Sequence, residues 1–410
     1  MDHWLNSGMY LPPPAQQQPQ QQNPYHSLEP QQQQMFAQQQ QQEPRHGTTI
    51  GTERVPTLST YRKDSRRIAH WGYRAREEMR KSSAEDYVML HNVKMHLDDR
   101  YIVRQLPNGL TVLHVIADYL REINECILAA VKKDIAIDVG YSRFKYSLTV
   151  PGHWSARSKD TMREAAIIAG LVQPTDPPQR LMMISEEEAM AIYALRQTAW
   201  GEDLEELDQF LLCHAPEGES VTLVVYEISK SVGRVQQLRE VIRSFGPSCG
   251  SDFLDANMER LIERKLRNYR HIIPASDWEA MMASFETGIR SIFDGLEDQF
   301  VHIPSLEEID DEEVGLADGY LVLTATEMRE DVFEPVVVDV VGLMRYMLQR
   351  GGRYYKALFM LGEFGSSQYM WGRIKQEFDS QVAFVGRPPR PELAISRGAV
   401  YAGLDSYMKR

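Results

Sequence analysis

One short turn carries the groups whose chemistry is easiest to interpret. It occupies residues 214–220, reads HAPEGES, and separates the predicted strands Phe210–Cys213 and Val221–Ile228. A hairpin turn that contains Gly218 and Ser220 could bind phosphate through backbone N–H groups, because glycine lets a ligand approach the backbone closely. The chemistry to test is therefore phosphate binding and phosphoryl transfer.

Other residues of the same turn oppose phosphate binding. Pro216 has no N–H to donate, and Glu217 and Glu219 place negative charge where phosphate oxygens would lie. A like-charge pair at about 4 Å costs roughly 4 kcal/mol at an effective dielectric constant near 20. That is a large part of a micromolar affinity, which is worth about 8 kcal/mol. The turn therefore predicts a phosphate-loop position that binds phosphate poorly.

Apolar strands alternate with amphipathic helices along the chain, which predicts an α/β fold. The predicted strands are Phe144–Val150, Leu181–Ile184, Phe210–Cys213, Val221–Ile228, Ala357–Leu361 and Val382–Val385. The predicted helices are Tyr119–Lys132, Ser155–Ala169, 185–198, Asp252–Tyr269, Trp278–Phe293, Val332–Leu348, Ser367–Phe378 and Leu393–Leu404. Segment 232–245 is of undetermined type, and Ser305–Glu313 is predicted to be an acidic loop.

Composition limits the function classes. The 410 residues are 43% hydrophobic and carry a formal net charge of −13, which argues against a general nucleic-acid binder. Three dispersed cysteines favour neither a disulfide framework nor a zinc site. No apolar run has the ~20 residues of a membrane span, and the first residues of the sequence do not show the basic-then-apolar pattern of a secretory signal. We expect a cytoplasmic protein, with the nucleus as the other compartment.

The first 46 residues differ in composition from the rest. They are rich in Gln and Pro, with runs such as Gln31–Gln34 and Gln38–Gln42. Such a segment buries too little apolar surface to offset its ordering entropy, so we predict a disordered tail. An inert tail and an interaction segment are both compatible with this composition.

Seven segments, in order, resemble motifs of one family. They are Val55-Pro56-Thr57 with Trp71-Gly72 (VPT…WG), Leu148–Pro151 with Trp154 (TVPxxW), Ala165-Ala166 with Ala169-Gly170-Leu171, Ile184–Ala189 (ISEPEA), Cys249-Gly250-Ser251 with Phe253-Leu254 (CGSxFL), Leu361–Ser367 with Tyr369 (GGFGxSxY), and Arg397–Val400 with Gly403-Leu404 (RGAVxxGL). This region resembles the nucleotide-binding domain of the 70-kDa heat-shock chaperones, especially the divergent heat-shock-70-like proteins of fungi.

The resemblance implies an actin-like ATPase fold of two α/β lobes that bind ATP and Mg²⁺ between them. It implies a first lobe over 47–200, a second lobe over 201–384 with a helical subdomain at about 252–330, and a return to the first lobe over 385–410. The family's first phosphate loop, DFGTT, has no counterpart, so we expect an N-terminally truncated domain. Because the chain ends at Arg410, we expect no peptide-binding domain in it.

The resemblance also assigns candidate site residues on the phosphate side. Glu186 corresponds to the catalytic carboxylate, although a first-turn helix acid is the alternative. Lys94 corresponds to the lysine that reaches the γ-phosphate, or is a plain surface lysine. In the second phosphate hairpin, DAGGGTVD, His214 replaces the first Asp and Thr222 falls near the second. The remaining phosphate-side candidates are Gly218, Ser220 and Gly250.

On the adenosine side, the resemblance assigns Glu286, Arg290 and Gly362. Glu286 and Arg290 are spaced i,i+4, so an ordinary ion pair on a helix surface is the alternative. We predict no metal site from the residues themselves. ATP with Mg²⁺ is implied only by the family, and the altered hairpin predicts weak binding or none.

Three hypotheses follow. The first is a pseudo-ATPase that acts as a scaffold or regulator through protein partners whose identity the sequence does not reveal. The second is a working, chaperone-like ATPase with an incomplete N-terminus, which a gene-model error would explain. The third is a Gln-rich nuclear interaction protein that uses the fold as a docking platform.

Overall fold

A computed structural model gives the arrangement of most of the globular region. It describes residues 55–79, 85–98, 106–135, 144–197, 203–216, 218, 220–232, 235–246, 249–350 and 355–408. The predicted tail 1–46, Glu217 and Glu219 lie outside the described residues. No helix among the described residues is long and apolar enough to cross a membrane.

The described residues form thirteen strands. They are β1 (Leu58–Arg62), β2 (Ile68–Trp71), β3 (Tyr87–His91), β4 (Tyr146–Val150), β5 (Leu181–Ser185), β6 (Gln209–His214), β7 (Val221–Val232), β8 (Val235–Gly246), β9 (Gln299–His302), β10 (Leu316–Ala317), β11 (Tyr320–Leu323), β12 (Ala357–Leu361) and β13 (Phe384–Gly386).

Nine longer helices connect these strands in the described part of the chain. They are α1 (Gly72–Met79), α2 (Val112–Ile135), α3 (Ala156–Ile168), α4 (Glu186–Gln197), α5 (Ser251–Lys265), α6 (Ala275–Ser284), α7 (Glu334–Arg350), α8 (Gln368–Phe378) and α9 (Ala394–Met408). A π-helical turn, Phe285–Ile289, follows α6, and another, Met328–Phe333, precedes α7. Short 3₁₀ turns include Val93–Leu97.

A five-stranded sheet in the order β13-β12-β6-β7-β8 carries the predicted hairpin. β6 pairs antiparallel with β7, so that His214 lies opposite Thr222, and β12 runs parallel to β6 and β13. β4 and β5 form a separate parallel pair, and two three-stranded antiparallel sheets, β2-β1-β3 and β10-β11-β9, complete the described strands. The predicted hairpin is confirmed.

Helices cover both faces of the five-stranded sheet. Leu211 and Cys213 belong to the apolar cluster shared with α5, α7 and α8, whereas Phe210 and Leu212 belong to the cluster shared with α4 and α9. Alternate residues of a strand point to opposite faces, so β6 is buried on both sides. This explains why it reads as a continuous apolar run.

The α/β prediction is confirmed, and several predicted bounds are wrong. α2 begins at Val112 rather than Tyr119, because the Thr111 hydroxyl accepts the N–H of His114 and caps the helix. α5 ends at Lys265, and the helix predicted over 278–293 is interrupted by a π turn. Within the segment of undetermined type, residues 235–245 belong to the strand β8.

Candidate functional site

Glu186 and Lys94 meet where β5 passes into α4. Ser185 Oγ accepts the N–H of Glu188, which fixes the first turn of α4 and makes Glu186 its first residue. Lys94 lies in the 3₁₀ turn Val93–Leu97, and its Nζ is 3.0 Å from Glu186 Oε1. Only 14% of the Glu186 side chain is exposed, against 44% of Lys94. Two residues far apart in sequence thus form one ion pair.

His214 completes this group at the end of β6. Its side chain is buried, and Nε2 has no hydrogen-bond partner among the described residues. Burial lowers the pKa of His214, although the charges of Glu186 and Glu187 oppose that change. The buried imidazole is therefore neutral near pH 7. We refer to Lys94, Glu186 and His214 as the Glu186 cluster.

The electrostatic environment favours the charged form of Glu186. Burial alone would raise its pKa, but Lys94 lowers it, as do His214 and His153 in their protonated forms, and the resulting pKa lies below the ordinary value. His153 is held nearby by a hydrogen-bond contact of 2.8 Å between its Nε2 and Asp98 Oδ2. The cluster can therefore keep the Glu186 carboxylate charged, while its own net charge stays small.

The turn after β6 packs tightly against the turn after β12. The N–H of Ala215 donates to the Leu361 carbonyl at 2.9 Å. Gly362 has φ +92°, and a Cβ at this position would lie 2.3 Å from the Ala215 carbonyl oxygen. Only glycine fits here, both for its backbone conformation and for the space it needs.

Gly218 is bound to the start of α5. Its N–H donates to the buried Ser251 hydroxyl at 3.1 Å, and its carbonyl accepts from the N–H of Asp252 at 3.1 Å. Gly250 precedes Ser251 as the N-terminal cap residue of α5. Ser220 lies half-buried just before β7. The N–H of Gly218 thus already donates within the protein.

A second group of charged residues lies between α5 and the residues that follow α6, which include the π turn Phe285–Ile289. Arg290 is buried, and its Nη1 binds both carboxylate oxygens of Asp255, at 3.0 and 2.9 Å. Burial raises the pKa of Asp255 to about 6, Arg290 opposes this rise, and Glu286 adds to it. Glu286 itself is exposed on the π turn. We refer to Asp255, Glu286 and Arg290 as the Arg290 cluster.

The structure therefore groups the predicted site residues without assembling them into one site. Lys94 and Glu186 are in contact, and Gly218 and Gly250 adjoin at Ser251. Arg290 binds Asp255, a partner that sequence reasoning missed, because no pattern links residues on two separate helices. No group of three His, Cys, Asp or Glu side chains among the described residues could hold a metal ion.

Sequence reasoning also missed Glu187. Only 3% of its side chain is exposed, which is unusual for an acidic residue. A signal was present, because Glu187 occupies the position at which the quoted family pattern, ISEPEA, has proline.

Comparison with curated proteins agrees with the resemblance. The chain is 21% identical to heat shock 70 kDa protein 12A from Mus musculus and from Homo sapiens, over 87% of the chain and 64% of each relative. It is 32% identical to human heat shock 70 kDa protein 12B over 30% of the chain and 19% of that protein. No protein-family model matches the chain.

The chain is a distant relative of these 70-kDa heat-shock proteins. It spans less than two thirds of the length of the 12A proteins, so the similarity concerns a part of each relative.

Proposed function

We propose that this 70-kDa heat-shock-protein-like, actin-fold chain is a pseudo-ATPase. In this proposal it has lost ATP hydrolysis, binds Mg-ATP weakly or not at all, and acts as a scaffold or regulator for protein partners. The observation that carries the proposal is the burial of His214, whose Nε2 has no hydrogen-bond partner among the described residues. It stands where the family's second phosphate hairpin has its first aspartate.

Phosphoryl transfer to water needs carboxylates to hold Mg²⁺ and charged or N–H groups to stabilise the phosphate. His214 and Thr222 lie opposite each other at the start of the hairpin, where the pattern places two aspartates. Neither side chain brings a negative charge to that position. We infer that the residues present do not fit a Mg²⁺ site of the family's kind.

The groups that would bind phosphate are already engaged. Lys94 pairs with Glu186, Pro216 has no N–H, and the N–H of Gly218 donates to Ser251. A phosphate would have to displace contacts that the protein makes with itself, and this lowers its affinity. These contacts support weak or absent nucleotide binding.

The finer features of the resemblance belong to the same proposal. They include the two-lobed arrangement, the kinship with divergent fungal members of the family, and a place in the cytoplasm or nucleus. The net charge of −13 favours proteins over nucleic acids as partners.

Isothermal titration of the full chain with Mg-ATP, followed by a phosphate-release assay, tests the proposal. We expect no micromolar binding and no release above background. Glu186→Gln and Lys94→Met are the matched controls, because a contaminating ATPase would be insensitive to both. Micromolar binding together with phosphate release that Glu186→Gln abolishes would overturn the proposal.

The second candidate is a working ATPase whose N-terminus is incomplete. The observation that favours it is the Lys94–Glu186 contact at 3.0 Å, because both residues match the family pattern. Sequencing the 5′ end of the transcript discriminates between the two candidates. An upstream segment that encodes a DFGTT-like loop would favour the ATPase, and a continuous message encoding Met1–Thr57 as written would count against it.

A further inference from the structure

Three residues from separate elements meet next to the Glu186 cluster. Glu187 Oε1 lies 2.6 Å from Arg243 Nη1 on β8, and Glu187 Oε2 accepts the N–H of Gly152 at 3.2 Å. Gly152 lies in the turn after β4, and Glu187 lies in the first turn of α4. One carboxylate therefore links the β4–β5 pair to the edge strand of the five-stranded sheet. We refer to Gly152, Glu187 and Arg243 as the Glu187 clamp.

Because this link is buried, the loss of either charged partner should be costly. The Glu187 side chain is 3% exposed and that of Arg243 19% exposed. A buried carboxylate that loses its cation is strongly unfavourable, because neither water nor another charge replaces the lost contact. Arg243 also binds Glu240 on its own strand at 2.7 Å, and that carboxylate is 43% exposed. The two acidic partners of Arg243 thus differ chiefly in burial and in the elements that they join.

The clamp leaves no room for a side chain at residue 152. A Cβ on Gly152 would lie 2.4 Å from Arg243 Nη2 and 2.8 Å from Glu187 Oε2. The backbone of Gly152 is not in the left-handed region, so alanine could adopt its conformation. The glycine is therefore required for space, and the space is filled by the two partners of the clamp.

We propose that the Glu187 clamp holds the segments around Glu186 in one arrangement without nucleotide. Glu187 is adjacent to Glu186 in the first turn of α4, so the contacts of Glu187 with Arg243 and Gly152 also restrain the position of the Glu186 carboxylate. The carboxylate that makes the link stands where the family pattern has proline, which could not form it. The inference rests on the proposed loss of nucleotide binding, because the clamp replaces a bound ligand as the connection between the two sheets.

Hydrogen–deuterium exchange of the full chain tests the clamp, with peptides that cover 146–158 and 186–197. In the native protein we expect the same protection with and without Mg-ATP. Glu187→Gln is nearly isosteric and removes the buried charge, so it should speed exchange in both regions roughly tenfold. Glu240→Gln is the matched control, because it removes the exposed partner of the same arginine and should leave both regions protected.

The two proposals fail in different ways. If Glu187→Gln and Arg243→Gln exchange like the native protein without nucleotide, the clamp is overturned and the pseudo-ATPase proposal stands. If Mg-ATP slows exchange in the native protein and titration shows micromolar binding, the pseudo-ATPase proposal is overturned. The claim that the arrangement needs no nucleotide is then overturned as well.

A second measurement covers variants that fold poorly. Gly152→Ala should lower the urea midpoint in the native background and have a much smaller effect in an Arg243→Ala background, where the space beside residue 152 is larger. A double-mutant cycle of this kind isolates the contact from general damage. Equal effects of Gly152→Ala in both backgrounds would overturn the clamp.

Discussion

The carboxyl groups of the Glu186 cluster and the Arg290 cluster have pKa values that are shifted in opposite directions. In the Glu186 cluster, Lys94 and the neighbouring histidines outweigh burial and lower the pKa of Glu186. In the Arg290 cluster, burial outweighs Arg290 and raises the pKa of Asp255 to about 6. A carboxylate near a cation is therefore not always a stabilised charge, because burial and attraction act against each other.

The same comparison shows that retaining a residue type does not retain a site. Lys94 and Glu186, both candidates from the family pattern, are in contact, but the third member of their cluster is a buried histidine. Glu286 and Arg290 match the pattern as well, yet Arg290 is buried against Asp255. What a residue binds decides its role more than its identity does.

The largest loss of stability is expected from a substitution at Gly362, where the backbone supports the Glu186 cluster. Gly362→Ala would place a Cβ 2.3 Å from the Ala215 carbonyl oxygen at φ +92°, so the turn after His214 would have to move. We expect a loss of about 3 kcal/mol or more in the free energy of unfolding, measured by urea denaturation.

Gly342→Ala is the control for this variant. Gly342 lies within α7 and a Cβ there would meet no atom within 4 Å, so alanine should be neutral or stabilising. Equal effects of the two substitutions would contradict a specific requirement for glycine after β12.

Removing the cation of the Arg290 cluster should have the next largest effect. Arg290→Met leaves the Asp255 carboxylate, which is 23% exposed, without this partner, and we expect a loss of about 2 kcal/mol at pH 7. The loss should be smaller at pH 5, because a protonated Asp255 does not need a cation. Urea denaturation of the native protein and the variant at both pH values measures the difference.

The double variant Asp255→Asn/Arg290→Met provides the control. It removes both charges, so it should recover much of the stability lost by Arg290→Met. A loss that is the same at pH 5 and pH 7, and that Asp255→Asn does not relieve, would show that Arg290 acts through packing alone.

How well each region could be predicted from the sequence depends on whether its interactions are local or join distant parts of the chain. The strands β6 and β7 and the helix α4 were predicted well, because apolar runs and the Ser185 cap are local signals. The match of Lys94 to the γ-phosphate lysine stays a prediction, although the ion pair with Glu186 supports it. Asp255 and Arg243 carry no local signal, since their partners lie on other elements.

The π turn at Phe285–Ile289 also escaped the sequence analysis. The periodicity of the segment predicts one continuous helix over 278–293, but Phe285, Ile289 and Phe293 are all buried. A helix that accommodates core contacts of this kind can insert a wider turn, and apolar spacing alone does not reveal it. Glu286 therefore lies on a π turn rather than within a continuous α-helix.

A smaller effect is expected when the exposed cation of the Glu186 cluster is removed. Lys94 is 44% exposed, so solvent screens its ion pair and Lys94→Met should cost about 1 kcal/mol at pH 7. The pKa of Glu186 is below its ordinary value of 4.5, so its contribution to stability is present above about pH 4.5 and is lost as the pH falls through the lowered pKa.

The difference between native protein and Lys94→Met should therefore shrink as the pH falls through the lowered pKa of Glu186, because the carboxyl group then becomes protonated in both. It should also shrink at high salt, because screening weakens a half-exposed pair. Lys145→Met, at an exposed lysine outside the cluster, is the control. A difference that persists at low pH would contradict an ion-pair origin.

The smallest effect tests whether Glu286 belongs electrostatically to the Arg290 cluster. Glu286 is exposed, so Glu286→Gln should change stability by no more than about 0.5 kcal/mol. Its charge raises the pKa of Asp255, so the variant should lower that pKa from about 6 toward the ordinary value of 3.8. Titration of ¹³C-labelled aspartate side chains by NMR measures the change.

The pH dependence of stability gives the same test a second readout. Because folding raises the pKa of Asp255, the stability from this site is present below about pH 4 and is lost as the pH rises through about 6. Glu286→Gln should reduce that loss, whereas Glu279→Gln, an exposed acid on α6, should not. If Glu286→Gln reduces this loss of stability, Glu286, a candidate from the nucleotide-binding pattern, acts on Asp255 within the protein. If the loss of stability is unchanged, Glu286 does not act on Asp255 and is available to bind a ligand.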